Sequence, residues 1–556
     1  MHGQPDPAPQ VSPTERVVRG ATVASFAVLL SRMSGLVRES LMARIFGAGL
    51  AYDAFLLGFR IPNLTRDLFA EGALSSAFVP TFVSYLQTKS KEEAAHLANL
   101  VATAITIFVG GLCVVGILVS PWLVGAFAPG WAAESPEKYQ LAVVLTRIMF
   151  PFLLLVSLAA QAMGILNACN QFFVPAMSST FFNVGSVIFG LLLGFIAGPA
   201  LGLTPIMGMA WGVVIGGALQ LVWQVPAMRR SGFTLRPAFD FSHPGLRQIA
   251  SLMGPAILGN AAVQVNVAVN TVFASTISDP VRGFDGPVSW LGYAFRFMQL
   301  PLGLFGVAIA SATLPAIGRS AVKEDMNEFR DTLARSLGLV FLLTVPSSVG
   351  LVILGNSIVG AIYQGAQFQA YDTQQTALAL SFYTIGLAGY AAVKVLTPAF
   401  YALNDSRTPM LVSVLSIAIN IAVAMTLVRW LKLGHSGLAL STSAVALFGF
   451  LVQFWIMRRR IGGVYGRRLR SSIAKVAAGS VFMGAVVFLS SRAITGILGE
   501  TTLGRLVDLA VSIPLGLGAL YWALRILKVD ELEMATRALA GPLLRRWSKL
   551  NAKLTS

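Results

Sequence analysis

Long apolar runs recur along the whole chain, each about as long as a helix needs to cross a hydrocarbon core, roughly 20 residues. They lie near residues 19–45, 51–86, 97–127, 139–164, 174–198, 205–227 and 245–277, then 287–316, 334–358, 374–402, 409–430, 436–457, 473–493 and 503–526. The pattern predicts an all-α integral membrane protein with 14 spans, numbered here in chain order. Charged residues interrupt the first two.

The chain also resembles itself at an offset of about 235 residues. Phe59-Arg60, Leu68-Phe69 and Ala77 to Pro80 recur as Phe295-Arg296, Leu304-Phe305 and Ala312 to Pro315. Asn170 stands five residues before Pro175, and Asn404 five before Pro409. The repeat predicts two six-helix lobes, residues 16–230 (spans 1–6) and 231–460 (spans 7–12). Six crossings return the chain to its starting side, so the lobes run in the same sense. A pseudo-two-fold axis along the membrane normal, with a cavity between the lobes, is the expected relation. Spans 13 and 14, residues 461–528, fall outside the repeat.

An ionisable group at bilayer depth is costly and usually faces a cavity or a partner. In span 1, Ser31, Ser34, Gly35 and Arg38 follow i, i+3, i+4, i+7 spacing and form one polar face. Arg32 lies beside it, and Glu39 and Arg44 follow. In span 2, Asp53, Arg60, Asp67 and Glu71 recur every four or seven residues along one stripe. Arg66 lies off that stripe in an ideal helix, although Pro62 can bend the span. Arg296 sits in an otherwise apolar stretch of span 8. Snorkelling to an interface suits Arg44 and Arg60. It suits Arg38, Arg66 and Arg296 less well. An excess of arginine around a cavity favours an anion, because guanidinium binds phosphate oxygens in bidentate fashion.

Lys and Arg in short loops favour the cytoplasmic side. One set of loops carries Arg229, Arg230, Arg236 and Arg247, then Arg319, Lys323, Arg330 and Arg335, then Arg458, Arg459, Arg460, Arg467, Arg468 and Arg470. The opposite set carries Lys138, Arg282, Arg429, Lys432, Arg492 and Arg505. Both termini are therefore expected in the cytoplasm. Residues 1–15 read as a disordered tail without a secretory signal. Residues 529–556 read as an amphipathic helix on the membrane surface.

Composition narrows the function classes. Of 556 residues, 55% are hydrophobic and 12% charged, the latter about half the level of soluble domains. The net charge of +17 is accounted for by the loops and tail, which argues against a nucleic-acid partner. Cys113 and Cys169 have no metal spacing and no disulfide framework, and His2, His96, His243 and His435 form no metal set. There is no phosphate-binding glycine loop with Lys, hence no encoded ATPase motor. No enzyme signature appears.

At residues 31–80 a familiar pattern emerges. Ser-Arg-Met-Ser-Gly-Leu-Val-Arg-Glu (31–39) leads to Ala-Arg-Ile-Phe-Gly-Ala-Gly (43–49) and Asp53-Ala54-Phe55. Ile-Pro-Asn-Leu (61–64), Phe-Ala-Glu-Gly-Ala (69–73) and Ala-Phe-Val-Pro (77–80) follow. Met-Gly-Pro-Ala (253–256), Val-Ser-Trp (288–290) and Lys-Val-Leu-Thr-Pro-Ala-Phe-Tyr-Ala (394–402) extend it. The chain resembles, over essentially its whole length, the MviN/MurJ family of lipid II flippases, within the multidrug/oligosaccharidyl-lipid/polysaccharide exporter superfamily. The resemblance implies translocation of undecaprenyl-diphosphate-linked disaccharide pentapeptide to the outer leaflet of a bacterial inner membrane. It implies substrate-binding roles for Arg32, Arg38, Arg66, Arg296 and Ser289. It places Asp53 and Glu71 near gates, with Glu39, Arg60 and Asp67 in the same charge network. Spans 13 and 14 are expected to form a groove for the polyprenyl tail, in keeping with an apparent lack of buried charge. Lipid II, membrane lipids and cell-wall synthesis proteins are the implied partners. No cofactor is implied, and an ion gradient or membrane potential is the expected driver.

There are departures from the family pattern. Some members have acids beside the span-8 arginine, where this chain has Phe295 and Gln299. Asp67 follows Arg66 where some have a second base. Some bind sodium through an acid in the second lobe, whereas span 7 offers Asn260, Gln264, Asn266 and Asn270. An exporter of another lipid-linked oligosaccharide, or a cation-coupled drug exporter, is the competing reading. A drug exporter for cations calls for cavity acids rather than arginines.

Overall fold

In a bilayer the backbone must satisfy its own hydrogen bonds, and an apolar segment does so as a helix. The computed structural model describes residues 13–68, 74–464, 466–534 and 536, and side chains from Ala27 onward except at 256, 258–260 and 466–468. Among these residues the protein is helical, and the only extended pairing is an isolated bridge between Asp279 and Gly283.

Among the described residues, ten helices are long and apolar enough to cross a membrane. They are Lys91–Phe127, Pro136–Ala168, Phe173–Ile196 and Pro205–Arg230 (spans 3–6), Pro287–Val322 and Met326–Tyr363 (8 and 9), Arg407–Trp430 and Gly434–Arg460 (11 and 12), and Leu469–Leu498 and Thr502–Ile526 (13 and 14). Span 10 is a pair, Ala370–Ile385 and Leu387–Ala402, bent by 42°. It makes an eleventh crossing if the pair counts as one. Helices Pro13–Phe46, Leu50–Arg66 with Ser75–Thr88, and Pro244–Ser275 occupy the positions of spans 1, 2 and 7.

The repeat noticed in the sequence recurs in local conformation. Asn170 and Asn404 both take the left-handed conformation, with φ of 59° and 56°. Each ends a helix with the same six-residue closure: Gln171 N donates to Leu166 O at 2.9 Å, and Asp405 N to Phe400 O at 2.9 Å. Asn is among the few non-glycine residues that accept this C-cap geometry. After the second of these turns the Thr408 amide, first among several donors that include Arg460, holds the Asp405 carboxyl below the usual carboxylate range. Spans 5 and 11 both end in a π-helical turn, Leu192–Ile196 and Met425–Trp430. Spans 2 and 8 carry π-helical turns at Asp67–Leu68 and Leu302–Gly306.

Packing divides the chain into two units. The first comprises residues 1–42 and 50–264, and the second 43–49 and 265–556. By packing, the boundary between the units falls inside span 7.

In the first unit, Phe78, Phe82, Leu97, Val101, Leu153 and Ile165 lie in one buried cluster. Spans 5 and 6 pack through small residues. A Cβ on Gly212 would stand 2.4 Å from Ser186 O and 2.6 Å from Gly190 Cα, and one on Gly208 would stand 2.2 Å from Gly194 N. Ser186, Gly190 and Gly194 therefore face Gly208, Gly212 and Gly216 at four-residue spacing, so the two backbones nearly touch. Gly212→Leu is expected to force these helices apart and destabilise the protein by about 1–3 kcal/mol or more. A lowered thermal midpoint in detergent checks this, and an unchanged midpoint contradicts it.

In the second unit, Phe329, Leu337, Val395, Phe400 and Met457 form the main cluster. Spans 9, 13 and 14 share smaller ones around Leu342, Val476 and Leu524, and around Leu354, Met483 and Val487. The segment Ala43–Gly49 belongs here: Arg282 Nη1 donates to Ala48 O at 3.0 Å and Tyr293 OH to Gly47 O at 3.4 Å. Gly47 has φ of +66°, and a Cβ there would lie 2.5 Å from Gln367 O, so this position requires glycine. The start of the C-terminal tail packs inward, with Val529 and Glu531 buried and Ser472 donating to Glu531 at 2.8 Å. Residues 537–556, the rest of the expected surface helix, lie outside the described residues, as do residues 1–12.

Candidate functional site

The polar face of span 1 packs against span 5. Asn183 Nδ2 donates to Ser31 O at 3.2 Å and to Ser34 Oγ at 3.1 Å, and Ser34 Oγ donates to Ser31 O at 2.9 Å. A Cβ on Gly35 would sit 3.4 Å from that same amide nitrogen. One turn on, the Arg38 guanidinium lies over the Phe182 ring, 5.2 Å from its centre. This cation–π contact holds a half-buried arginine beside a polar cluster. Arg32 is exposed and Glu39 is buried. Asn183 was not singled out in the sequence. Its signal was a lone amide in an apolar span.

In span 2 the stripe divides. Asp53 is fully buried and paired with Lys138 at 2.6 Å, and both side chains are 0% exposed. Lys138 Nζ also lies 4.5 Å from the centre of the Trp131 ring. Lys138 is therefore no loop charge, contrary to its assignment in the loop-charge pattern. It stands at the start of span 4 and reaches back to span 2. Arg60 is half-buried. Arg66 gives Nε and Nη2 to Asp67 Oδ1, at 3.1 and 2.8 Å. The substitution of an acid at position 67 thus has a visible consequence, a charge pair between adjacent residues at a π-helical turn. Glu71 lies outside the described residues.

In the second unit, Arg296 is exposed on span 8 and Ser289 is fully buried. Ser289 lies next to Trp290, whose Nε1 donates to Asp372 Oδ1 at 3.0 Å. Arg282 joins the same carboxylate, Nη1 at 3.0 Å from Oδ1 and Nη2 at 3.2 Å from Oδ2, while the Gln369 amide donates to Oδ2 at 2.8 Å. Tyr371 OH closes the group on Asp279 at 2.9 Å. The Val288-Ser289-Trp290 segment thus anchors span 8 to span 10 by a buried acid that sequence reading passed over.

Of the span 7 amides, Asn270 is engaged on both sides. Asn270 Nδ2 donates to Thr442 Oγ1 at 3.2 Å, Asn420 Nδ2 to Asn270 Oδ1 at 2.9 Å, and Ser441 Oγ to Asn420 Oδ1 at 2.8 Å. This chain of neutral groups satisfies itself across spans 7, 11 and 12.

Spans 13 and 14 do not lack buried charge, which corrects the sequence reading. Asp508 is 0% exposed and Arg505 3%. Arg505 bonds Gln364 of span 9 and pairs with Glu500 at 3.2 Å. Both charged residues stand near the start of span 14, where the sequence alone made Arg505 look like a loop residue.

The comparisons with known proteins agree with one another. The family model described as "Lipid II flippase MurJ" matches residues 42–505. A lipid II flippase MurJ of Burkholderia cenocepacia is 35% identical over 451 residues, 80% of this chain and 84% of that protein. A probable lipid II flippase MurJ of Vibrio cholerae is 31% identical over 528 residues, 91% and 98% of the two chains. A solved structure of lipid II flippase MurJ in an inward closed conformation superposes with a TM-score of 0.74 at 26% identity, covering 91% of this chain and 99% of that one. An inward-facing multidrug MATE-family transporter of the MOP superfamily shares the fold, with a TM-score of 0.61 at 16% identity. By the extent of the family match and the identity to its members, this chain belongs to the lipid II flippase MurJ family.

Proposed function

We propose that both termini of this inner-membrane protein are cytoplasmic and that residues 16–230 and 231–460 act as the two moving halves of an alternating-access transporter. The protein is a lipid II flippase, not an enzyme. It moves undecaprenyl-diphosphate disaccharide pentapeptide from the inner to the outer leaflet. The observation that carries this reading is the family match across most of the chain. Arginines set in apolar spans support it, because a diphosphate is the charged part of this lipid.

In this reading Arg38 and Arg66 of the first unit and Arg296 of the second bind the diphosphate, with Arg32 and Ser289 contributing to the head-group site. Glu39, Asp53, Arg60, Asp67 and Glu71 form the charge network that responds to it. Repulsion among unliganded arginines favours an open state, and an anion relieves it. Spans 13 and 14 hold the polyprenyl tail. Arg505 and Asp508 turn inward, while Phe488, Leu489, Leu506 and Leu517 remain exposed on their outer faces. Cell-wall synthesis proteins are the expected partners.

Purified protein in vesicles should translocate labelled lipid II, without ATP, under an imposed ion gradient or potential. Absence of lipid II translocation, with transport of a cationic drug instead, would establish the exporter reading. Transport that stops without ATP at constant gradients would refute the proposed energetics.

Orientation has its own test. In a variant lacking Cys113 and Cys169, Arg459→Cys should be labelled by an impermeant thiol reagent only after the cells are opened. Labelling from outside intact cells overturns the proposed topology.

A further inference from the structure

Asp508 of span 14 sits in a pocket of hydroxyl groups. Ser512 donates to Oδ1 at 2.7 Å. Ser491 of span 13 donates to Oδ2 at 2.8 Å, and Ser357 of span 9 reaches the same oxygen. Ser490 lies 2.9 Å from Ser512, Oγ to Oγ. Three helices therefore direct three hydroxyls to one carboxylate, with Ser490 one hydrogen bond behind Ser512. Asp508 and Ser512 are 0% exposed and Ser357 is 6% exposed.

No ion pair involves Asp508 among the described residues. The nearest base along its helix, Arg505, is committed to Gln364 and Glu500. Arg492, beside Ser491, is exposed. Glu500 is the other charged group at this end of the helix pair, and its side chain is 71% exposed. A buried carboxylate without a cation is costly, and hydroxyl donors offset only part of that cost. Asp508 lies six residues beyond Thr502, roughly 9 Å into the span at 1.5 Å per residue. An ion needs to travel only that short distance from the helix end.

We propose that Asp508, with Ser357, Ser490, Ser491 and Ser512, forms a sodium site that joins spans 9, 13 and 14. The donor set is oxygen only, which suits a hard cation. Two carboxylate oxygens and the hydroxyls of Ser357, Ser491 and Ser512 supply five oxygens, and Ser490 stands behind Ser512 as a sixth within reach of a small rearrangement. A single carboxylate balances one positive charge, whereas divalent sites recruit more charge or water. On binding, the hydroxyls turn their hydrogens outward and offer lone pairs to the ion. The site is separate from the arginines assigned to the head group and does not rest on that assignment.

The test uses full-length protein in nanodiscs without lipid II, so its result is independent of transport. Radioactive sodium should bind and be displaced by unlabelled NaCl but not by choline chloride. Asp508→Asn should weaken binding by at least about 10-fold, because it removes the ligand charge. Ser512→Ala and Ser491→Ala, which change little in volume, should weaken it several-fold while leaving the fold intact. NaCl in place of choline chloride should raise the thermal midpoint of the wild type and not of Asp508→Asn. If the wild type binds no sodium, the proposal is wrong. It is equally wrong if Asp508→Asn and both serine variants bind sodium as the wild type does, which would reduce the cluster to a polar clamp.

Discussion

Arg38→Ala, Arg66→Ala and Arg296→Ala are each expected to fail to support growth of a flippase-depleted strain, although each is stably produced. Each lost bidentate contact should cost about 1.5–3 kcal/mol, the usual range for hydrogen bonds to charged groups. That corresponds to roughly 10- to 150-fold in affinity for the head group. Lysine keeps the charge but loses the planar fork, so the Arg→Lys variants should recover part of the function. The structure adds a finer expectation at position 66. Asp67 Oδ1 takes two of the Arg66 donors, at 3.1 and 2.8 Å. An arriving diphosphate competes with that carboxylate. Asp67→Asn should therefore tighten head-group binding, and Arg66→Ala should remove the gain. Normal growth and normal lipid II translocation by all three alanine variants would disprove the anion site.

The helices were legible in the sequence because lipid leaves a long apolar segment little alternative to a helix. The internal repeat was legible for a sharper reason. Asn170 and Asn404 recur at matching places in the sequence, and each is a left-handed residue closing a helix. That geometry accepts few side chains, so it leaves a trace in composition. The polar face of span 1 was legible from helical spacing, but not its partner. Asn183 lies about 150 residues away in sequence, and periodicity within one helix carries no information about the next.

Loop charges carry least information where tertiary pairing intervenes. Lys138 and Arg505 stand within a few residues of helix starts and were read as loop groups. Lys138 is buried against Asp53, and Arg505 against Gln364. A long side chain near a helix end can reach water or turn inward, and the local sequence does not distinguish the two. Asp508 and Asp372 escaped notice for a related reason. Asp372 is a lone carboxylate in the first turn of its helix, where acids are common as partners of the helix dipole, and Asp508 is a lone carboxylate deeper in span 14, where spacing within one helix names no partner.

The Asp53–Lys138 pair sets up a second large effect, on stability. Both side chains are 0% exposed, and their charged atoms are 2.6 Å apart. Removing one member leaves the other charge buried, which typically costs about 3–5 kcal/mol. Lys138→Ala and Asp53→Ala should each show a loss of that size in reversible unfolding in mixed micelles. Replacing both by apolar residues of similar volume, Asp53→Leu with Lys138→Met, should restore most of the stability, since a buried ion pair seldom outperforms good apolar packing. Losses below about 1 kcal/mol in both single variants would mean that the pair is solvated in the bilayer rather than buried. The double variant also separates two roles for Asp53. If the pair serves only to fasten span 2 to span 4, the apolar version should support growth. If Asp53 acts in the charge network by exchanging Lys138 for another partner during transport, the apolar version should fold and yet fail, because two hydrocarbon side chains can hold the helices together but cannot release them to a competing charge.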